Sequence, residues 1–162
     1  MSFSSELELS QALIRVPSPS GKESLAMRLM IDAFKALEFD ECYLDKAGNA
    51  IGILKRGDGP HVMLNGHLET VALGDERAWQ EPPLSGNVAD GKLWGRGSVD
   101  MKSAVACMVF AAKDAVERGF KGTLNVTAVV QEEIGGLGAR YLGETMKTDV
   151  VILGEPSNLN LM

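Results

Sequence analysis

Three short apolar runs, His61 to Asn65, Leu124 to Val130 and Val150 to Leu153, have the length and composition of strands and set the terms for this chain. A fourth, Ala50 to Leu54, reads the same way. The stretches between them carry helical spacing. Ser4 to Ile14 places apolar residues at Leu7, Leu9, Ala12, Leu13 and Ile14, and a longer stripe follows at Leu25, Leu29, Ile31, Phe34 and Leu37. Lys102 to Arg118, rich in Ala, Val and Met, predicts a helix that Gly119 stops, and Gly136 to Met146 predicts another. Turn residues separate the elements at Val16 to Gly21, Gly48-Asn49 and Arg56 to Pro60, and Gly86 to Trp94 reads as a hairpin around Ala89-Asp90-Gly91. Strands alternating with helices predict an α/β layer fold, a sheet covered by helices. Asn158 to Met162 follow directly on a strand where a further helix is expected, which suggests a truncated domain.

The chemistry-bearing residues fall at one recurring place. In open α/β sheets, ligands gather at the carboxyl ends of the strands. His67 comes just after the first apolar run, Glu132 and Glu133 just after the second, and Glu155 just after the third. Asp100 arrives from the turn Gly95 to Val99, at the entrance to the long helix. One imidazole with several carboxylates suits a borderline divalent ion such as zinc, cobalt or manganese. A carboxylate such as Asp100 can bridge two ions, which in two-metal sites sit about 3.5–4 Å apart. A free carboxylate beside them then serves as the base. Neighbouring side chains on a strand face opposite ways, so Glu132 and Glu133 both reach the site only if the strand has ended there, as Gly135-Gly136 suggests. Glu69 lies two residues beyond His67, placed to accept the second ring N–H and fix its tautomer.

Bulk properties narrow the function classes. The 162 residues, 45% of them hydrophobic, suffice for one domain with a core. Lys and Arg number 16 against 22 Asp and Glu, a net charge of −6 with no basic stripe, so a nucleic-acid partner has no electrostatic support. Cys42 and Cys107 lie far apart in no CxxC pattern, which disfavours a disulfide framework or thiolate zinc site. The longest apolar run, Ala104 to Ala112, is too short to span a bilayer, and the polar, acidic N-terminus argues against a secretory signal. A reduced cytoplasmic compartment is the plain reading.

Four segments carry a resemblance: Asn65-Gly66-His67-Leu68-Glu69-Thr70-Val71, Gly95-Arg96-Gly97-Ser98-Val99-Asp100-Met101-Lys102, Gln131-Glu132-Glu133 with Gly135-Gly136, and Gly154-Glu155-Pro156-Ser157. In this order they resemble the M20 metallopeptidases, the family of acetylornithine deacetylase, succinyl-diaminopimelate desuccinylase, aminoacylase and glutamate carboxypeptidase. The resemblance runs over essentially the whole chain. It implies a three-layer, zinc-exopeptidase-like sheet flanked by helices, with residues 1–162 as the N-terminal portion of a catalytic domain. It also implies two divalent metals, zinc with cobalt or manganese as alternatives. His67 and Glu155 would hold one, Glu133 the other, with Asp100 bridging and Glu132 as general acid/base. The last-strand acid tends to be Glu in deacylases and Asp in peptidases, so Glu155 points to cleavage of N-acyl-amino acids, with dipeptides as the alternative.

Two departures qualify the likeness. The family usually has Asp where this chain has Glu69. It also takes a second His ligand from later in a longer polypeptide, after a lid or dimerisation domain, and full-length members of that kind suggest a homodimer. This chain holds only His61 and His67, so its second metal position is incomplete and little turnover is expected from these residues alone.

Each residue also has an ordinary reading. Asp100 can cap the helix near Lys102, Glu132-Glu133 can be a solvated strand end, Glu155 a turn acid, and His67 a structural histidine. Gly95-Arg96-Gly97 lacks the third glycine of a dinucleotide loop. Met63, Met101 and Met108 read as core fillers, and Trp79 and Trp94 either border the site or cover the hairpin. A non-catalytic metal-binding or interaction domain is the alternative from another class.

Overall fold

A computed structural model describes residues 2–157. The tail from Asn158 to Met162, on which the expectation of a truncated domain rests, lies outside them. Helix α1 (Glu6–Arg15) begins at a reciprocal cap: Ser5 Oγ accepts from the Glu8 N–H at 3.3 Å, while the Glu8 carboxylate accepts from the Ser4 N–H at 2.8 Å. Helix α2 (Ser24–Ala36) follows the Pro-rich break and buries Ala26, Met27, Met30, Ala33 and Phe34. Strands β1 (Glu41–Leu44), β2 (Ala50–Arg56) and β3 (His61–His67) come next. A single 3-10 turn (Glu76–Ala78) and the hairpin β4 (Val88–Ala89) and β5 (Lys92–Leu93) lead to α3 (Lys102–Glu117). The chain then forms β6 (Gly122–Val129), α4 (Leu137–Thr145) and β7 (Val150–Leu153).

The main sheet has the order β1-β2-β6-β3-β7. β1 and β2 pair antiparallel, as do β2 and β6, whereas β6, β3 and β7 run parallel. The three runs singled out for their trailing acids are therefore neighbours pointing the same way. Their carboxyl ends lie side by side.

Side-chain alternation along the strands makes the layers. Ala50 and Leu54 of β2, and Leu124, Val126 and Ala128 of β6, face the core formed with α1, α2 and α3. Ile51 and Ile53, Met63 and Val129 face the other way, onto Leu142 and Met146 from the α4 region. A sheet between two helical layers results, as expected. Met63, Met101 and Met108 are buried, the first two of them at 5% and 0% exposure. β1 escapes sequence reading because it is a largely exposed edge strand of four residues, too short to show an alternating pattern.

One close approach bears on the site. Gly66 precedes His67 on β3, and a Cβ there would collide with Met101 and Val105, which are wholly buried. The missing side chain lets the start of α3 settle directly on the strand. Lys102, 1% exposed, then reaches from α3 to the end of α1, donating to the Leu13 and Val16 carbonyls at 2.8 and 2.7 Å. These bonds satisfy acceptors that a helix C-terminus leaves open. Burial lowers the Lys102 ammonium to about 8.

Candidate metal centre

The parallel strands deliver their terminal side chains to one spot. His67 closes β3 and is 1% exposed. Its Nε2 lies 3.1 Å from Asp100 Oδ1, 3.8 Å from Glu132 Oε2 and 3.9 Å from Glu155 Oε1. Two triads have ligand atoms within 4.8 Å of one another: His67, Glu132 and Glu155, and His67, Asp100 and Glu133. The structure thus gathers His67, Asp100, Glu132, Glu133 and Glu155 around one imidazole edge. It places Glu132 as near the imidazole as Glu155, so distance alone does not separate base from ligand.

Local structure explains each position. β6 ends at Val129, and Gln131 adopts a left-handed φ of 54°, so the chain has left the sheet before the two glutamates. That break frees both side chains from strand alternation. Asp100 does not cap α3: the N-cap is Met101, with no side-chain capping bond. The ordinary reading of Asp100 as a helix cap is therefore set aside, and its carboxylate faces His67 instead.

The orientation of His67 differs from expectation in one group. Nδ1 pairs with the backbone carbonyl of Glu69 at 3.1 Å. The Glu69 carboxylate, expected to accept that ring N–H, turns to the backbone N–H of Glu133 at 2.9 Å. A carbonyl can only accept, so Nδ1 carries a proton, and Nε2 is the ring nitrogen that faces the carboxylates. The residue two positions beyond His67 fixes the tautomer, but through its main chain, whose direction no side-chain pattern reveals.

The electrostatics are those of carboxylates crowded around a single imidazole. Burial, then the nearby Asp100, Glu132 and Glu133, push the Glu155 carboxyl above its usual range, with His67 opposing. Burial likewise raises Glu69, against the Glu133 N–H and His67. Carboxylates crowded about one imidazole edge repel one another, and a divalent cation relieves that repulsion. Glu69 Oε2 is buried with no hydrogen-bond partner.

Beside Asp100 runs a groove of about 300 Å³ lined by Trp79, Trp94 and Arg96. The Arg96 guanidinium lies 5.0 Å from the centre of the Trp79 ring, while Trp94 Nε1 donates to Ala89 O within the hairpin at 3.2 Å. Trp79 and Trp94 therefore border the site, and Trp94 also closes the hairpin. Glu23 and Asn49, buried beneath the Glu132–Glu133 turn, have no counterpart in the sequence reading. An acid after a Pro-Ser-Gly loop and an Asn in a turn look solvated until the fold covers them.

Known proteins of the same make-up bear on this arrangement. A Thermococcus kodakarensis protein provisionally named a LysW-lysine/LysW-ornithine hydrolase is 32% identical over 160 residues, covering 99% of this chain and 42% of its own length. A Pyrococcus furiosus protein of the same name is 33% identical, covering 99% of this chain and 44% of its own length. The chain thus spans about two-fifths of these relatives. Among solved structures, an M20 family metallo-carboxypeptidase from Sulfolobus solfataricus superposes with a TM-score of 0.83 at 18% identity, over 94% of this chain and 37% of that one. The aminopeptidase PepT from Bacillus cereus superposes at 0.72 and 22% identity, over 91% and 42%. These two share the fold. The model of peptidase family M20/M25/M40 matches residues 63–161, which run from β3 through every residue of the cluster, and the chain belongs to that family.

Proposed function

We propose that this chain forms the metal-binding part of an amidohydrolase that cleaves N-acyl-amino acids in the manner of acetylornithine deacetylase. The observation that carries the reading is the buried His67, its proton held on Nδ1 and its Nε2 turned to Asp100, Glu132 and Glu155. The donor set fits a borderline divalent ion, zinc with cobalt or manganese as alternatives. His67 and Glu155 would hold one ion, Asp100 would bridge, and Glu133 would begin a second position. When bound, such ions polarise an amide carbonyl and lower the pKa of water. Glu132 takes the proton from the attacking water and passes it to the leaving nitrogen. The C–N bond breaks, releasing an amine and a carboxylate.

The names of the archaeal relatives pair lysine and ornithine with a LysW group, which favours a basic amino acid on the amine side. The solved neighbours named as peptidases support a second reading within the same chemistry, a dipeptidase or carboxypeptidase. The other histidine of this chain, His61, opens β3 and so lies about 20 Å from His67 at 3.3 Å per residue. The second position therefore draws no imidazole from these residues. The chain should bind one divalent ion tightly and turn over little substrate by itself.

The test is metal titration of the chain and of His67→Ala, with N-acetylornithine, other acyl-amino acids and dipeptides assayed on a form with turnover. One tight cobalt or zinc ion per chain, lost in His67→Ala, supports the reading. Tight binding that survives His67→Ala overturns it, and preference for dipeptides transfers the function to the second reading.

A further inference from the structure

We infer that Glu23 and Asn49 are positioning residues for the Glu132–Glu133 turn, holding with Glu69 the backbone on which the base and a ligand stand. The inference rests on the metal-centre reading above. Past the end of β6, hydrogen bonds of the sheet no longer fix the chain, and Gln131 takes a left-handed conformation that non-glycine residues seldom adopt. Such a conformation persists only where its surroundings over-determine it.

The surroundings are three side chains from three separate segments. The Val130 N–H donates to Asn49 Oδ1 at 3.0 Å, the Gln131 N–H to Glu23 Oε1 at 3.2 Å, and the Glu133 N–H to Glu69 Oε1 at 2.9 Å. Glu23 stands at the N-cap of α2, Asn49 just before β2, and Glu69 just after β3. They are 5%, 0% and 0% exposed. Two of the bonds bracket Glu132 directly, one on each side. The turn also closes on itself, with the Gly136 N–H donating to the Gln131 carbonyl at 2.6 Å and the Gly135 N–H to that of Glu132 at 3.2 Å.

Two of the three, Glu23 and Asn49, are engaged elsewhere as well. Although it is the N-cap, Glu23 makes no side-chain bond to its own helix; Oε1 also accepts from the Gly21 N–H at 2.8 Å. Asn49 donates through Nδ2 to Asp45 Oδ2 at 2.8 Å and to the Gly138 carbonyl at 3.0 Å. A side chain at Gly138 would collide with Asn49 Oδ1, so that glycine gives the amide room against α4. Two amide–carboxylate bonds and one amide–amide bond therefore fix the backbone of the short loop that carries Glu132. An error of about 1 Å at such a position can cost on the order of 10²-fold in rate.

Glu23→Ala and Glu23→Gln test the assignment, with Asn49→Ala alongside. The readouts are cobalt affinity of the 162-residue chain, amide hydrogen exchange at 130–133, and thermal unfolding. Glu23→Ala is expected to weaken binding of a second, looser cobalt ion, at the position that Glu133 begins, by roughly 10-fold, within the range for partners behind metal ligands. It should speed exchange at Gln131 and Glu133 more than in the β6 interior. Glu23→Gln keeps the acceptor oxygen and should restore both readouts. Faster unfolding with unchanged affinity for that second cobalt ion in Glu23→Ala would reduce Glu23 to a structural role and overturn the inference. So would unchanged exchange at Gln131 and Glu133. A wild-type chain that binds no cobalt overturns the metal-centre reading itself, and the inference with it.

Discussion

The rim and the floor of this site are both built of acids, in opposite states. On the rim, the side chains of Asp100 and Glu132 are 48% and 43% exposed and cluster around one imidazole. On the floor, Glu69 and Glu23 are 0% and 5% exposed, and each accepts a backbone N–H from the turn above. A buried carboxylate committed to main-chain donors is unavailable as a reagent, whereas one at a strand end keeps its lone pairs for a cation or a proton. Acidity alone therefore says little about role. What each oxygen is bonded to decides it.

The contrast can be broken at several points. In a full-length form with turnover, Glu132→Ala should have the largest effect, lowering the rate by about 10²–10⁴ as expected for a lost general base while leaving metal content nearly intact. Retained turnover in steady-state assays with parallel metal analysis would remove Glu132 from that role. His67→Ala should lower cobalt affinity by more than the roughly 10–100-fold ascribed to residues behind the ligands, with isothermal titration as the measure.

On the floor, the readout shifts from chemistry to stability. Glu69→Ala leaves the Glu133 N–H without its acceptor and should cost about 1–3 kcal/mol in urea unfolding. Asp100→Ala should cost far less, since Asp100 caps no helix. Equal losses would erase the distinction between rim and floor.

A smaller effect concerns pH in the metal-free chain. Burial raises Glu69 and Glu155 above their ordinary value of 4.5, so folding favours their protonated forms. Their contribution to stability is full below pH 4.5 and is lost as pH climbs through the raised values. The urea midpoint should thus be higher near about pH 5 than near about pH 7, and Glu69→Gln should flatten the difference. The smallest effect is expected far from the site. Asp114 pairs with Arg118 on the exposed face of α3, and Asp114→Asn should leave the melting temperature unchanged.

Much of the frame was legible in the residues. Runs of β-branched and apolar side chains bounded by Gly and Pro located β2, β3, β6 and β7, and helical spacing located α1 to α4. β1 was not legible, because a largely exposed edge strand of four residues is too short to show a pattern. The residues brought to one imidazole edge were legible as well, since each closes or closely trails a strand or precedes α3. The floor was not. Glu23 lies 108 residues from the N–H that it accepts, and Asn49 lies 81 residues from its own. Nothing local distinguishes these side chains from solvated loop residues.

By itself, the sequence determined which side chains stand at strand ends, because residue order and hydrophobic period place them there whatever the rest of the chain does. Only the tertiary structure decided that β6, β3 and β7 run parallel as neighbours, which turns three separate strand ends into one cluster. It also decided that the Glu69 carbonyl, and not its carboxylate, holds His67. That choice depends on main-chain direction after a strand, which long-range packing sets and side-chain identity does not encode.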